Sequence, residues 1–161
     1  MPERPATDFL DRLAEIADRH PDRPAFVVAQ SDHREQTLTF AGLRADWLEL
    51  ASRLTAYGLG SGDVLVITLR NHIHYLSLIF GAWQAGIAAP PISPVLAPAD
   101  RDALLQVVQA ELGRPVVVDT VPHESYDSVV VHADQPISFV PAENPTATTD
   151  SDRPDHELGY L

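Results

Sequence analysis

The chain has 161 residues, 45% of them hydrophobic, which is enough for one core and about one domain. Its 23 acidic residues outweigh 11 basic ones, leaving a formal charge of −12; such a surface repels nucleic acid and anionic lipid. Every basic residue is an arginine and there is no cysteine, so lysine Schiff bases, phosphate-loop lysines, disulfides and thiolate metal sites are all excluded.

The arginines are scattered singly, so no basic patch offers nucleic acid or a membrane a foothold. The N-terminus lacks the basic-then-apolar pattern of a secretion signal. The longest apolar runs, near Val64–Leu69 and Leu76–Trp83, fall far short of the ~20 residues that span a bilayer. A cytoplasmic, soluble protein is the expectation.

In chain order, Thr7 is placed to cap a first helix, with Phe9, Leu13, Ile16 and Ala17 on one stripe and His20-Pro21 as its stop. Pro24–Ala29 and Gln36–Thr39, separated by a polar turn, read as a β-hairpin. A long helix is predicted from Phe40 to Tyr57, because Leu43, Trp47, Leu50 and Leu54 form one apolar stripe. Thr39 is its natural N-cap, and Gly42 stands where a capping box would place a glutamate.

The stretch Tyr57-Gly-Leu-Gly-Ser-Gly-Asp63 has the glycine content of a phosphate-binding loop but the wrong orientation. A phosphate cradle needs a strand, then glycines, then a helix N-terminus. Here the glycines follow a helix and precede the apolar run Val64–Leu69, so they read as a helix-to-strand turn with Gly58 as the C′ residue. Val64–Leu69 is almost uniformly apolar, as expected of a strand buried on both faces of a parallel sheet.

Asn71 is expected to cap a deeply packed helix reaching Ala85 and ended by Gly86. A short strand at Ile87–Ile92 follows. The next helix spans Pro98–Leu112, with Leu104, Leu105, Val108 and Leu112 facing inward, and strands are expected at Pro115–Asp119 and Ser128–His132. This alternation argues an α/β fold: a three-layer, mostly parallel sheet with flanking helices, preceded by a short β-hairpin. Residues 1–140 form that unit. Residues 141–157 are polar and rich in breakers, a linker, and the apolar residues 158–161 read as the start of a truncated strand.

Taken together, the motifs resemble the N-terminal portion of adenylate-forming enzymes (acyl- and aryl-CoA synthetases, AMP-dependent synthetases and ligases). His20-Pro-Asp-Arg-Pro-Ala25 is similar to the family's opening strand signal, and Leu38-Thr-Phe-Ala-Gly-Leu43 to its "TYAEL" helix entry. Tyr57–Val64 resembles its "LGVGPGDRV" turn. Asn71 and Ala85-Gly86-Ile87 resemble its helix boundaries, and Pro90–Pro94 its crossover. The resemblance covers roughly Phe9–Asp119.

The resemblance implies a two-step ligation in which ATP and a carboxylic acid form an acyl-adenylate and a thiol such as CoA takes the acyl group. In the family, a Thr/Ser/Gly-rich phosphate loop follows a segment like Asp155–Leu161, and the magnesium glutamate, ribose aspartate and catalytic lysine lie beyond it. The expectation is therefore a fragment of an ATP-dependent carboxylate–CoA ligase, inactive alone. It carries no catalytic, cofactor-binding or metal residue of its own; ATP, magnesium and CoA are implied for the parent, with the remainder of the ligase in cis. Val95 stands where some relatives place a basic residue able to meet a CoA phosphate, and Arg70 where a proline is common. The alternative is a stand-alone binding or interaction module that complements another ligase polypeptide. Tight binding of ATP or CoA by the chain alone would favour it, and none is expected.

Among single residues, Arg70 and Asn71 are the substrate-facing candidates, since a strand-to-helix junction on the carboxyl edge is where α/β folds bind ligands. Asp119 ends a strand on that same edge. Asp63 reads as a turn aspartate bonding its local backbone. His72 and His74, two apart at an expected helix start, would point ~200° from each other and could not share a metal ion. Ser61 and Ser93 lack a nucleophile elbow, and Trp47 and Trp83 read as core.

Overall fold

The computed structural model describes residues 5–29, 34–132 and 135–145. The expected linker after residue 145 and the strand start at 158–161 lie outside the described residues. The first helix, α1, runs Pro5–Arg19 and so begins before Thr7. Pro5 explains the early start: its fixed φ suits the first helical turn, where its missing N–H costs no bond. β1 (Pro24–Ala29) and β2 (Glu35–Thr39) pair antiparallel as the expected hairpin, with a register shift between Pro24 and Phe26.

α2 spans Phe40–Ala56 and buries Leu43, Trp47, Leu50, Ala51 and Leu54. Thr39 caps it: Thr39 Oγ1 accepts the Gly42 N–H at 3.1 Å. At its other end, the Gly58 N–H donates to the Thr55 carbonyl (2.9 Å) and the Leu59 N–H to the Leu54 carbonyl (3.1 Å). That pair of bonds is a Schellman ending, and it requires the positive φ of +77° that Gly58 adopts.

β3 (Asp63–Ile67) is followed by α3 (Tyr75–Gln84), α4 (Pro98–Glu111) and β4 (Arg114–Asp119). β5 (Ser128–His132) and β6 (Gln135–Val140) complete a four-stranded sheet in the order β3-β4-β5-β6. β3, β4 and β5 are mutually parallel and β6 is antiparallel to β5. β6 is an addition to the expected elements. Pro136 stands just ahead of its short Ile137/Phe139 alternation, and a proline is tolerated here because β6 is the edge strand of the described sheet.

Ile87–Ile92 is not a full strand. It meets β3 in parallel through isolated bridges, Val64 to Ala88 and Ile67 to Pro91. Pro90 and Pro91 lack the N–H groups that a continuous ladder needs.

Alternate residues of β3 feed two cores. Leu65 and Ile67 join Leu54, Leu78, Val116, Val118, Val129 and Val131 under α2 and α3. Val64 and Val66 join Leu105, Val108, Val117 and Tyr126 under α4. The sheet is thus covered on both faces, as the apolar run of β3 required. Two expectations about side chains are corrected. Leu104 and Leu112 are 41% and 61% exposed, because only the Leu105/Val108 stripe of α4 reaches the sheet. Trp83 is 39% exposed, its ring lying against Phe9 and Phe80 at the end of α3, whereas Trp47 is buried as expected.

Candidate functional site

The chain leaves β3 toward the 87–92 segment on one side of it, then returns through α4 to β4 on the other side. Connections that part in this way open a crevice outside the carboxyl ends of the two strands, the place where doubly wound sheets bind ligands. A cleft of about 290 Å³ lies there, lined by Thr68–His72 after β3, Asp119 and Thr120 at the end of β4, and Pro94.

Asp119 forms the floor of this cleft. The Thr68 hydroxyl is shared between Asp119 Oδ2 (2.7 Å) and the Val118 carbonyl (2.9 Å). The Thr120 N–H donates to Asp119 Oδ1 at 2.7 Å, and Arg101 Nη1 of α4 stands 3.5 Å from Oδ2. The carboxylate is therefore held by a cation and neutral donors from three elements. Arg70 and Asn71 differ sharply: both are exposed, and neither forms a hydrogen bond or ion pair with any described residue.

Asn71 does not cap α3. The helix begins at Tyr75, and its N-cap position, His74, makes no side-chain capping bond. His72 accounts for the delay: its Nδ1 accepts the His74 N–H at 3.2 Å and its carbonyl accepts the Tyr75 N–H at 3.1 Å, closing a turn ahead of the helix. A side-chain acceptor taking a local N–H competes with helical bonding. The same turn corrects the expected divergence of the two histidines, whose ring centroids lie 5.4 Å apart. Burial, and secondarily the charge of His74, hold the His72 imidazole below its ordinary pKa. Among the described residues, no group of three or more His, Asp or Glu side chains is arranged to hold a metal.

At the opposite end of β3, Asp63 has the local role expected of it and a further one. Its Oδ2 accepts the Gly60 N–H (2.8 Å), and its Oδ1 accepts from Arg114 Nε (2.7 Å). Arg114 Nη1 also reaches Asp127 Oδ2 (3.2 Å), whose other oxygen accepts the Ala142 N–H (3.0 Å). The hydrogen bond to Asp63, opposed by partial burial, raises the pKa of the Arg114 guanidinium.

A second cleft, of about 150 Å³, lies between α2 and β6. Its polar groups already have partners, Arg53 with Glu49 at 2.7 Å and the His74 ring 3.5 Å from Asp46. Thr68, Arg101 and Thr120 were not singled out from the sequence. Thr68 meets Asp119 across 51 positions, and only the strand pairing brings them together.

This is a doubly wound α/β unit with an open crevice at its switch point. The family model described as "AMP-binding enzyme" matches residues 13–156, and the chain belongs to that family. It is 30% identical to an isonitrile lipopeptide synthase of Streptomyces coeruleorubidus, over 92% of this chain and 10% of that protein. It is also 30% identical to a long-chain-fatty-acid–CoA ligase of Haemophilus influenzae, over 61% of this chain and 17% of the ligase. Among solved structures, the N-terminal subdomain of Klebsiella oxytoca NpsA, in complex with anthranilyl-AMSN, superposes with a TM-score of 0.61. The identity there is 19%, over 73% of this chain and 29% of that one, which establishes the shared fold. The chain thus spans a small part of the length of these relatives. Among the described residues, no helix is long and apolar enough to cross a membrane.

Proposed function

We propose that this chain is the N-terminal α/β portion of an ATP-dependent carboxylate–CoA ligase, which forms an acyl-adenylate and then an acyl-CoA. The observation that carries the reading is the family match over residues 13–156, together with the named CoA ligases among the relatives. In this reading Arg70 and Asn71 face the ligand from the crevice at the end of β3, and the β-sheet supplies the wall against which the rest of the ligase closes. The parent would take a small carboxylic acid, ATP, magnesium and CoA. The metal and the reacting phosphates have no assigned residue in this chain, which has no lysine. Alone, the chain is expected to be inactive.

The test is carboxylate-dependent exchange of pyrophosphate into ATP by the full-length protein, followed by thioester formation with CoA. Exchange with at least one acid of a panel is expected, with none from the 161-residue chain. A full-length protein that exchanges with no acid, or an isolated chain that exchanges by itself, would overturn the proposal.

A further inference from the structure

One turn borders both clefts and carries a histidine into each. His72 lines the crevice, whereas His74 lines the cleft between α2 and β6. Two bonds to His72 close the turn: its Nδ1 accepts the His74 N–H at 3.2 Å, and its carbonyl accepts the Tyr75 N–H at 3.1 Å. Arg70 and Asn71, immediately before it, are exposed and bond to none of the described residues. Their place in the crevice is therefore set by β3 on one side and by this turn on the other.

The first of these bonds exists only while the ring is neutral. An Nδ1 that accepts leaves the imidazole proton on Nε2, and a second proton has to enter at Nδ1, where it turns the acceptor into a donor facing another donor. A positive ring would also stand just ahead of the first residue of α3, the helix end that disfavours cations. The surrounding charges act in the same direction. Arg70 stands two residues before it, and the His74 ring lies 5.4 Å away. Asp119 is the one carboxylate among the residues lining the crevice, and it is already held by Arg101 of α4, by Thr68 and by the Thr120 N–H. Asp46 of α2 lies 3.5 Å from the His74 ring and so faces the other histidine.

We propose that the turn from His72 to Tyr75 is a pH-sensitive latch on the crevice: it is closed while the imidazole is neutral, and a proton taken from solvent at Nδ1 opens it and lets Arg70 and Asn71 change position. The ring has somewhere to go, because the crevice of about 290 Å³ lies on its own side of the turn. The His74 N–H, a donor at the start of α3, then passes to water, as unpaired donors at a helix N-terminus ordinarily do. The movement stays local, since Ser77 and Leu78, next along α3, are fully buried. The latch is a property of the loop and does not depend on the ligase reaction.

The test follows the 161-residue chain by imidazole and amide ¹H–¹⁵N spectra between about pH 8 and 5. At the upper limit the His72 ring should show its proton on Nε2. On acidification it should take up a proton at Nδ1 with a midpoint below 6.5, since burial opposes the charge. The amides of residues 70, 71 and 74 should shift with that same midpoint, while residues 64–67 of β3 stay still. Across it, the protection factor of the His74 amide should fall about tenfold, the loss of one neutral hydrogen bond. His72→Asn keeps an acceptor for the same N–H and does not titrate, so residues 70 and 71 of that variant should hold their high-pH shifts throughout. A proton on Nδ1 at the upper limit, amides at 70, 71 and 74 that ignore the titration of the ring, or the same movement in His72→Asn would overturn the latch. The wild-type spectra decide the first two points by themselves, so a variant that failed to fold would not shelter the proposal. Each of those results would leave pyrophosphate exchange by the full-length protein untouched, so the two proposals fail separately.

Discussion

At the amino end of β3, Asp63 and Arg114 bond to the protein itself at nearly every turn: to Gly60, to each other, and through Asp127 to Ala142. At the carboxyl end of the same strand, Arg70 and Asn71 bond to none of the described residues. Residue type alone does not distinguish these ends, since each carries an arginine and an aspartate. What differs is whether the neighbouring chain has already satisfied the donors. A satisfied end ties the sheet together, and an end whose donors meet none of the described residues leaves them facing solvent.

The sharpest way to break this contrast is to disturb the amino end where it is tightest. Gly113 holds a φ of +141°, and a Cβ there would lie 2.2 Å from the Gly62 carbonyl oxygen. The Cβ would meet backbone rather than a flexible side chain, and the Arg114 N–H donates to the same oxygen at 2.9 Å. Gly113→Ala therefore has to move the glycine turn away from β4, and it should cost about 3 kcal/mol or more in urea denaturation. Stability within about 0.5 kcal/mol of wild type would show that this edge yields easily, and the comparison would lose its rigid half.

A milder disturbance removes the ion pair and leaves the backbone intact. Arg114 is 35% exposed and Asp63 only 13%, so Arg114→Met strands a largely buried carboxylate with one remaining donor, the Gly60 N–H. Discounted for solvent screening at the arginine, the expected loss is about 1–2 kcal/mol. A variant as stable as wild type would mean that strand pairing alone holds the amino edge.

How much of this was legible beforehand follows the range of the interactions. Thr39 and Gly58 were readable because a helix cap and a Schellman ending are made within a few residues of the signal. The double burial of β3 was readable because its run is apolar without a break. Asn71 misled for an equally local reason: His72 captured the His74 N–H and moved the helix start to Tyr75. β6 was hidden by Pro136, and the exposure of Trp83 and Leu112 depends on where neighbouring elements stop, which no stripe of spacing reports. In the crevice, Arg70, Asn71 and Asp119 could be named from their places at strand ends. Thr68 and Arg101 could not, because their bonds to Asp119 cross 51 positions and a change of element respectively.

The smallest expected effect tests the carboxyl end, through His72. Its ring is half-buried and accepts a backbone N–H at Nδ1, so protonation there would break that bond as well as place a charge beside His74. Its pKa in the folded protein accordingly lies below 6.5, while the unfolded chain titrates near that value. As the pH falls below 6.5, the unfolded state takes up a proton that the folded state refuses, so the contribution of His72 to stability declines down to its folded pKa. The raw pH profile also contains the contributions of the chain's other ionisable groups. His72→Asn separates the two, since its side-chain oxygen can accept the same N–H and does not titrate. Subtracting the variant's stability from that of the wild type between pH 7.5 and 5 should give a difference that is flat above about pH 7 and falls on acidification. A difference that stays flat, or rises with acid, would mean that burial does not hold the imidazole below its ordinary pKa, and the carboxyl end would lose its one titrating contribution.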